Sequence, residues 1–268
     1  MKMTMPIIDF HTHPFETDDY NICRNIPYCD MSALNTERDM RSLGITYIVG
    51  SVVKRTSDFQ EIIAQNDAAL RLRDLYQGFY IPGVHIHPCF VRESIAELKR
   101  LHREGVRVIG ELVPYIHSWG TDYDSPALGE ILNYAEECGM VVSFHGSTEH
   151  REASVLATDR MVEEHPNLIF IGAHVCTDAV LESHISRLKR YPNYMVDLSG
   201  GGIYRHGVLR HLIDECGNDR ILFGSDYPVC NPAAYVGGVM LDFLISEEEK
   251  RAVMFENADR LLKKIGAY

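Results

Sequence analysis

A short apolar run followed by an amphipathic stretch recurs eight times along the 268 residues, and this rhythm limits the fold more than any other feature. The apolar runs fall at 7–13, 45–49, 79–87, 106–112, 140–145, 168–174, 194–198 and 220–226. Between them the spacing of apolar residues predicts helices over 36–43, 58–76, 92–104, 125–138, 154–165, 178–190 and 204–216. Thr36, Ser57 or Asp58, and Ser246 are placed as N-caps, the last ahead of Glu247, Glu248 and Glu249 in a first turn. Gly44, Gly105, Gly139 and Gly217, or Pro166 and Pro192, stop the helices. The strands are apolar on both faces, as in parallel sheets covered by helices. The expectation is an α/β protein, a single-domain (β/α)8 TIM barrel over residues 1–268, close to the roughly 250 residues usual for that fold. A doubly wound sheet would carry a glycine-rich phosphate turn after its first strand. Here His11-Thr12-His13-Pro14 stands in that place.

In such a barrel, chemistry sits at the C-terminal ends of the strands. Those ends carry His11 and His13, Glu111, His145, His174 and Asp226. Asp9, His11 and His13 are two apart, which puts them on one face of an unbroken strand. Four imidazoles and two carboxylates buried at one rim need a cation, because unpaired buried charge is costly. A histidine-rich set points to a divalent ion, zinc first and manganese as the other choice. Such an ion activates water, and Asp226 suits a ligand that also accepts the proton. His174 is placed as a metal ligand or as the group that polarises a carbonyl. Asp9 either orients a ligand or is a buried carboxylate held by backbone amides. Tyr115, His117 and Trp119 after strand four, His87 at the end of strand three and Arg151 after strand five are candidates for lining a substrate pocket. His85 shares a face with His87, which leaves room for one of the two to be structural. The glycine-rich stretch 197–202 reads as a loop beside the site rather than a phosphate cradle.

The segments Ile8-Asp9-Phe10-His11-Thr12-His13 and Ile221-Leu222-Phe223-Gly224-Ser225-Asp226-Tyr227-Pro228, with His145, His174 and the closing Glu256-Asn257-Ala258-Asp259-Arg260-Leu261-Leu262, resemble the amidohydrolase superfamily, in particular its amidohydrolase-related branch. The resemblance spans essentially the whole chain. It implies that His11, His13 and Asp226 bind a metal, that His145 joins them or binds a second ion, and that His174 binds that second ion or contacts substrate. Many relatives with two metals carry a carboxylated lysine after strand four, where this chain has Glu111. Gly110-Glu111-Leu112-Val113-Pro114-Tyr115 is instead similar to the corresponding segment of TatD-type hydrolases, where a glutamate bridges two ions, and this favours two ions over one. The implied activity is hydrolysis of a small-molecule amide, lactone or ester. A nonoxidative decarboxylase on the same frame is the alternative, and a TatD-like phosphoesterase or nuclease a more distant one.

The net charge of −12 disfavours nucleic acid and anionic membranes as partners and leaves a small molecule. No apolar run approaches the roughly 20 residues that span a bilayer, and the N-terminus lacks the pattern of a signal peptide. Seven scattered cysteines without a CxxC pair suggest reduced thiols and a cytoplasmic setting. Cys23 and Cys29 share a loop and read as thiols rather than ligands. A homo-oligomer stays open.

Overall fold

A computed structural model describes residues 5–23, 32–120, 123–146, 151–175, 179–201, 203 and 205–268. Cys29, Gly202 and the expected helix starts at Asp178 and Tyr204 lie outside these residues. Eight parallel strands follow one another in sequence order: β1 (Ile7–Thr12), β2 (Ile45–Ser51), β3 (Tyr80–Val84), β4 (Val108–Leu112), β5 (Val141–His145), β6 (Ile169–Ala173), β7 (Tyr194–Asp197) and β8 (Ile221–Leu222). Regular pairing in β8 is short, but the chain beyond it closes the ring on β1. Phe10 N donates to Phe223 O (2.8 Å), Asp226 N to His11 O (2.8 Å) and His13 N to Tyr227 O (2.6 Å). The result is a TIM barrel with its helices outside.

Two apolar layers follow from the period of two along each strand. One residue or more from every strand faces inward, among them Ile8, Val49, Ile81, Val108, Val141, Ile171, Met195 and Leu222. Ala258, Leu261 and Leu262 of the last helix plug this interior from the N-terminal end. The alternate residues, such as Ile48, Ile109, Val142, Phe170 and Val196, pack outward against the helices. The rim that carries the candidate site residues is thus left at the opposite, C-terminal end of the strands.

The helices are α1 (Ala33–Ser42), α2 (Phe59–Leu75), α3 (Val91–Arg103), α4 (Pro126–Glu137), α5 (Glu152–Glu164), α6 (Ala179–Arg190), α7 (Val208–Cys216), α8 (Pro232–Met240), α9 (Glu247–Arg251) and α10 (Asn257–Ile265). Ser32 rather than Thr36 caps α1, accepting from Asn35 N at 3.3 Å, while Thr36 Oγ1 turns back to Ser32 O. Ser246 caps α9 in a full capping box with Glu249, as the acidic first turn predicts. Helix α8 was not expected: Gly237 and Gly238 break its apolar pattern, although Asn231 caps it and Pro232 stands at its first position. The last helix is interrupted by a π-helical turn, Ala252–Glu256.

Candidate metal centre

Two bulges aim the candidate ligands. Asp9 lies opposite Ile48 and Thr12 opposite Gly50, so three steps on β1 face two on β2. Phe10 belongs to the interior layer, yet its neighbour His11 also reaches the site. The plain alternation expected for Asp9, His11 and His13 therefore does not hold. On β4, Ile109 faces Val142 and Leu112 faces Phe144, again one residue too many. Gly110 absorbs the extra residue at φ 96°, and a Cβ there would stand 2.0 Å from Ser143 O. The bulge turns Glu111 into the barrel. His145 ends β5 in step with inward Val141. His174 and Asp226, just past their strands, hold left-handed φ values of 64° and 61°. Non-glycine residues held there mark sites where the surroundings impose the conformation.

The six rim residues meet. Glu111 Oε2 lies 3.5 Å from both His11 Nε2 and His13 Nε2, and Asp226 Oδ1 lies 3.7 and 3.5 Å from the same two nitrogens. Glu111 Oε1 faces the other way, 2.9 Å from His145 Nδ1 and 3.2 Å from His174 Nε2. The donors form two groups that share one carboxylate: His11, His13 and Glu111, and Glu111, His145 and His174. Ligands about 2.1 Å from a tetrahedral ion stand about 3.4 Å apart, close to these separations. Among the described residues His11 Nε2 is buried with no hydrogen-bond partner, as an atom kept for a metal would be. On donor chemistry and spacing, the residues fit divalent ions.

Electrostatics point the same way. Burial pushes the Glu111 carboxyl up, but the facing His11, His145 and His174 outweigh it and hold the group well below the usual range. Burial works against a charged His11, and the carboxylates of Asp197 and Glu111 overcome it, raising the imidazole well above its ordinary value. For His174, burial is likewise overcome by Glu111, and its value is raised. Protons on imidazole hold the place a cation would take, so metal uptake must release them and tighten as pH rises.

Residues behind the rim face the outer nitrogens of the candidate ligands. Asp197 Oδ2 lies 3.0 Å from His11 Nδ1, and Ser199 Oγ lies 3.0 Å from His174 Nδ1. Ser51 serves twice, its carbonyl 3.1 Å from His13 Nδ1 and its hydroxyl accepting from Glu111 N at 3.1 Å. Sequence reasoning passed over these three. Asp197 stood at a strand's C-terminal end and was open to the same rule that found the ligands. Asp9 Oδ1 accepts from the backbone amides of His11 (3.3 Å) and Ser225 (2.9 Å), and burial raises its carboxyl to about 7.

The expected pocket residues divide. Tyr115 is 39% exposed, with its hydroxyl 3.5 Å from His145 Nε2, at the mouth of the site. His87 is buried and caps the turn Pro88–Phe90, Nε2 facing His117 O (2.9 Å) and Nδ1 accepting from Cys89 N (3.1 Å), so both ring nitrogens face backbone. Trp119 packs on the main core with its ring 6.0 Å from Tyr123. Arg151 is exposed at the N-cap of α5, its guanidinium 3.3 Å from Ser154 Oγ. His117 and His85 are fully buried edge-to-face, 4.6 Å between centroids. Burial lowers His117 to about 4. The unfolded chain takes its proton near 6.5, so between 6.5 and 4 the unfolded state binds more protons and stability falls as pH falls. Acidification from pH 7 to 4 is expected to cost roughly 3 kcal/mol through His117 alone. Urea unfolding across this range should show His117→Asn losing that part of the pH dependence; an unchanged profile would show that His117 is not buried neutral.

The barrel and the paired donor groups define a class, that of TIM-barrel enzymes whose strand ends carry histidines and carboxylates that could hold a metal ion. The sequence matches the amidohydrolase family profile over residues 8–264, and the chain belongs to that family. No curated protein matches the sequence. Among solved structures it is similar to an uncharacterized TIM-barrel protein from Bordetella bronchiseptica (20% identity, 98% of this chain and 100% of that one, TM-score 0.77). A dihydroxybenzoic acid decarboxylase from Polaromonas sp. JS666 with bound manganese is also similar (16%, 97% and 97%, TM-score 0.69). So is a probable 2-pyrone-4,6-dicarboxylic acid hydrolase from Acinetobacter baumannii (14%, 97% and 100%, TM-score 0.67). At these identities the likeness is one of fold.

Proposed function

We propose that the chain is a hydrolase of a small-molecule amide, lactone or ester that works with two divalent ions, zinc or manganese. Glu111 carries this reading, because its two oxygens face two different histidine groups. His11, His13 and Asp226 would hold one ion, His145 and His174 the other, and Glu111 would bridge them. Bound there, the ions supply activation of water and polarisation of the scissile bond. Asp226 presents Oδ1 to His11 and His13, and its second oxygen takes the proton of the attacking water and returns it to the leaving nitrogen or oxygen. His174 acts as a ligand, since its Nε2 is directed at Glu111. The Tyr115 hydroxyl, at the mouth, contacts substrate.

Elemental analysis of purified protein should find two transition-metal ions per chain, with activity lost on chelation and restored by zinc or manganese. Activity that survives thorough chelation would overturn the reading. A second reading, nonoxidative decarboxylation, draws on the decarboxylase of the same fold. Screening esters, lactones and amides beside aromatic carboxylic acids, with carbon dioxide measured, separates the two. Cleavage of nucleic acid with manganese would instead support the phosphoesterase reading, which the charge of −12 disfavours.

A further inference from the structure

We infer that Ser199 and Asp197 form a single lock on the ring protons of histidines in both donor groups, with Ser199 the positioning residue for His174. The inference rests on the two-ion reading above. His11 and His174 both direct Nε2 at Glu111. For Nε2 to offer its lone pair to a cation, the ring proton must sit on Nδ1, and whatever Nδ1 faces decides this. A carboxylate oxygen can only accept, so Asp197 Oδ2, 3.0 Å from His11 Nδ1, calls for the ring proton there; Ser199 Oγ, 3.0 Å from His174 Nδ1, is an acceptor once its own proton is committed elsewhere.

A hydroxyl that accepts from His174 still has its own proton to give, and Ser199 Oγ gives it to Asp197 Oδ1. The Ser199 amide donates to the same oxygen at 2.9 Å, holding the serine in register. One carboxylate thereby orients His11 directly and His174 through the serine, and Ser199 Oγ also lies 3.1 Å from His11 Nδ1. Asp197 and Ser199 are fully buried, so solvent does not compete. The backbone comes close beneath the ring at Gly200, where a Cβ would stand 2.4 Å from His174 Nδ1. The lock therefore ties together the orientation of ligands in both groups.

The test uses full-length protein labelled with 15N-histidine, as wild type, Ser199→Ala and Ser199→Thr. Two quantities are read: the His174 Nδ1–H signal, and zinc affinity against a competing chelator. Wild type should show the signal and bind two zinc ions. Ser199→Ala should lose the signal and weaken one of the two ions by about 10–100-fold, the size usual for loss of an outer partner. The other ion should stay, because Asp197 still faces His11. Ser199→Thr should restore both readouts. An unchanged Nδ1–H signal in Ser199→Ala would overturn the lock, as would equal weakening of both ions that threonine does not repair. A wild type that binds one zinc would instead refute the two-ion reading, and the proton signal would still decide the role of Ser199.

Discussion

Asp226→Asn is expected to fold, to keep at least one ion, and to lose turnover by about 10²–10⁴-fold, or roughly 3–5 kcal/mol of barrier. Asparagine keeps the shape of the side chain and one oxygen for His11 and His13 to face, but its amide cannot accept a proton. The backbone need not move: Asp226 N donates to His11 O at 2.8 Å and Asp226 O accepts from Cys230 N at 3.0 Å, and neither bond involves the carboxylate. Asparagine also tolerates the left-handed φ of 61° better than most residues would. A loss of turnover is therefore chemical rather than structural. Turnover on any substrate found by screening, measured beside metal content, checks this. Near-normal turnover with the metal retained would move the proton-accepting role to another group.

The barrel was legible because local and global signals agree: apolar runs of strand length, helices stopped by glycine or proline, and no phosphate turn after β1. Helix α8 was hidden because its two glycines oppose helix propensity, and packing of Tyr235, Val236 and Val239 overrides them. The six candidate ligands were legible as a group through one rule, that chemistry gathers at strand ends. That rule does not separate a ligand from a cap. His87 stood where a pocket residue would, and spends both ring nitrogens on backbone. Nor does it show bulges, which depend on the register of the neighbouring strand. Alternation counted along β4 alone sends Glu111 outward, and only the extra residue at Gly110 brings it in. Asp197 also stands at a strand end, where the same rule applies, but the glycines that follow it draw the reading of 197–202 toward a loop.

Glu111→Gln should have the widest effect of any single change in the site. Glutamine keeps the length of the side chain but offers one oxygen and no charge, so it cannot serve both donor groups. In the native arrangement Oε2 faces His11 and His13 and Oε1 faces His145 and His174. With the amide in place, metal content should fall from two ions per chain toward one or none. The loss in affinity should exceed the 10–100-fold typical of outer partners, since a ligand itself is changed. Turnover should fall by at least the ~10²-fold that loss of one charge-stabilising group costs. The barrel should persist, because the change touches neither apolar layer and leaves the Glu111 amide on Ser51 Oγ. Circular dichroism, elemental analysis and turnover, each measured on Glu111→Gln beside wild type, check the three expectations in turn. A variant that keeps two ions would show that Glu111 does not bridge. A wild type with one ion, held by His11, His13 and Asp226, would reduce Glu111 to a carboxylate that balances the charge of the surrounding histidines.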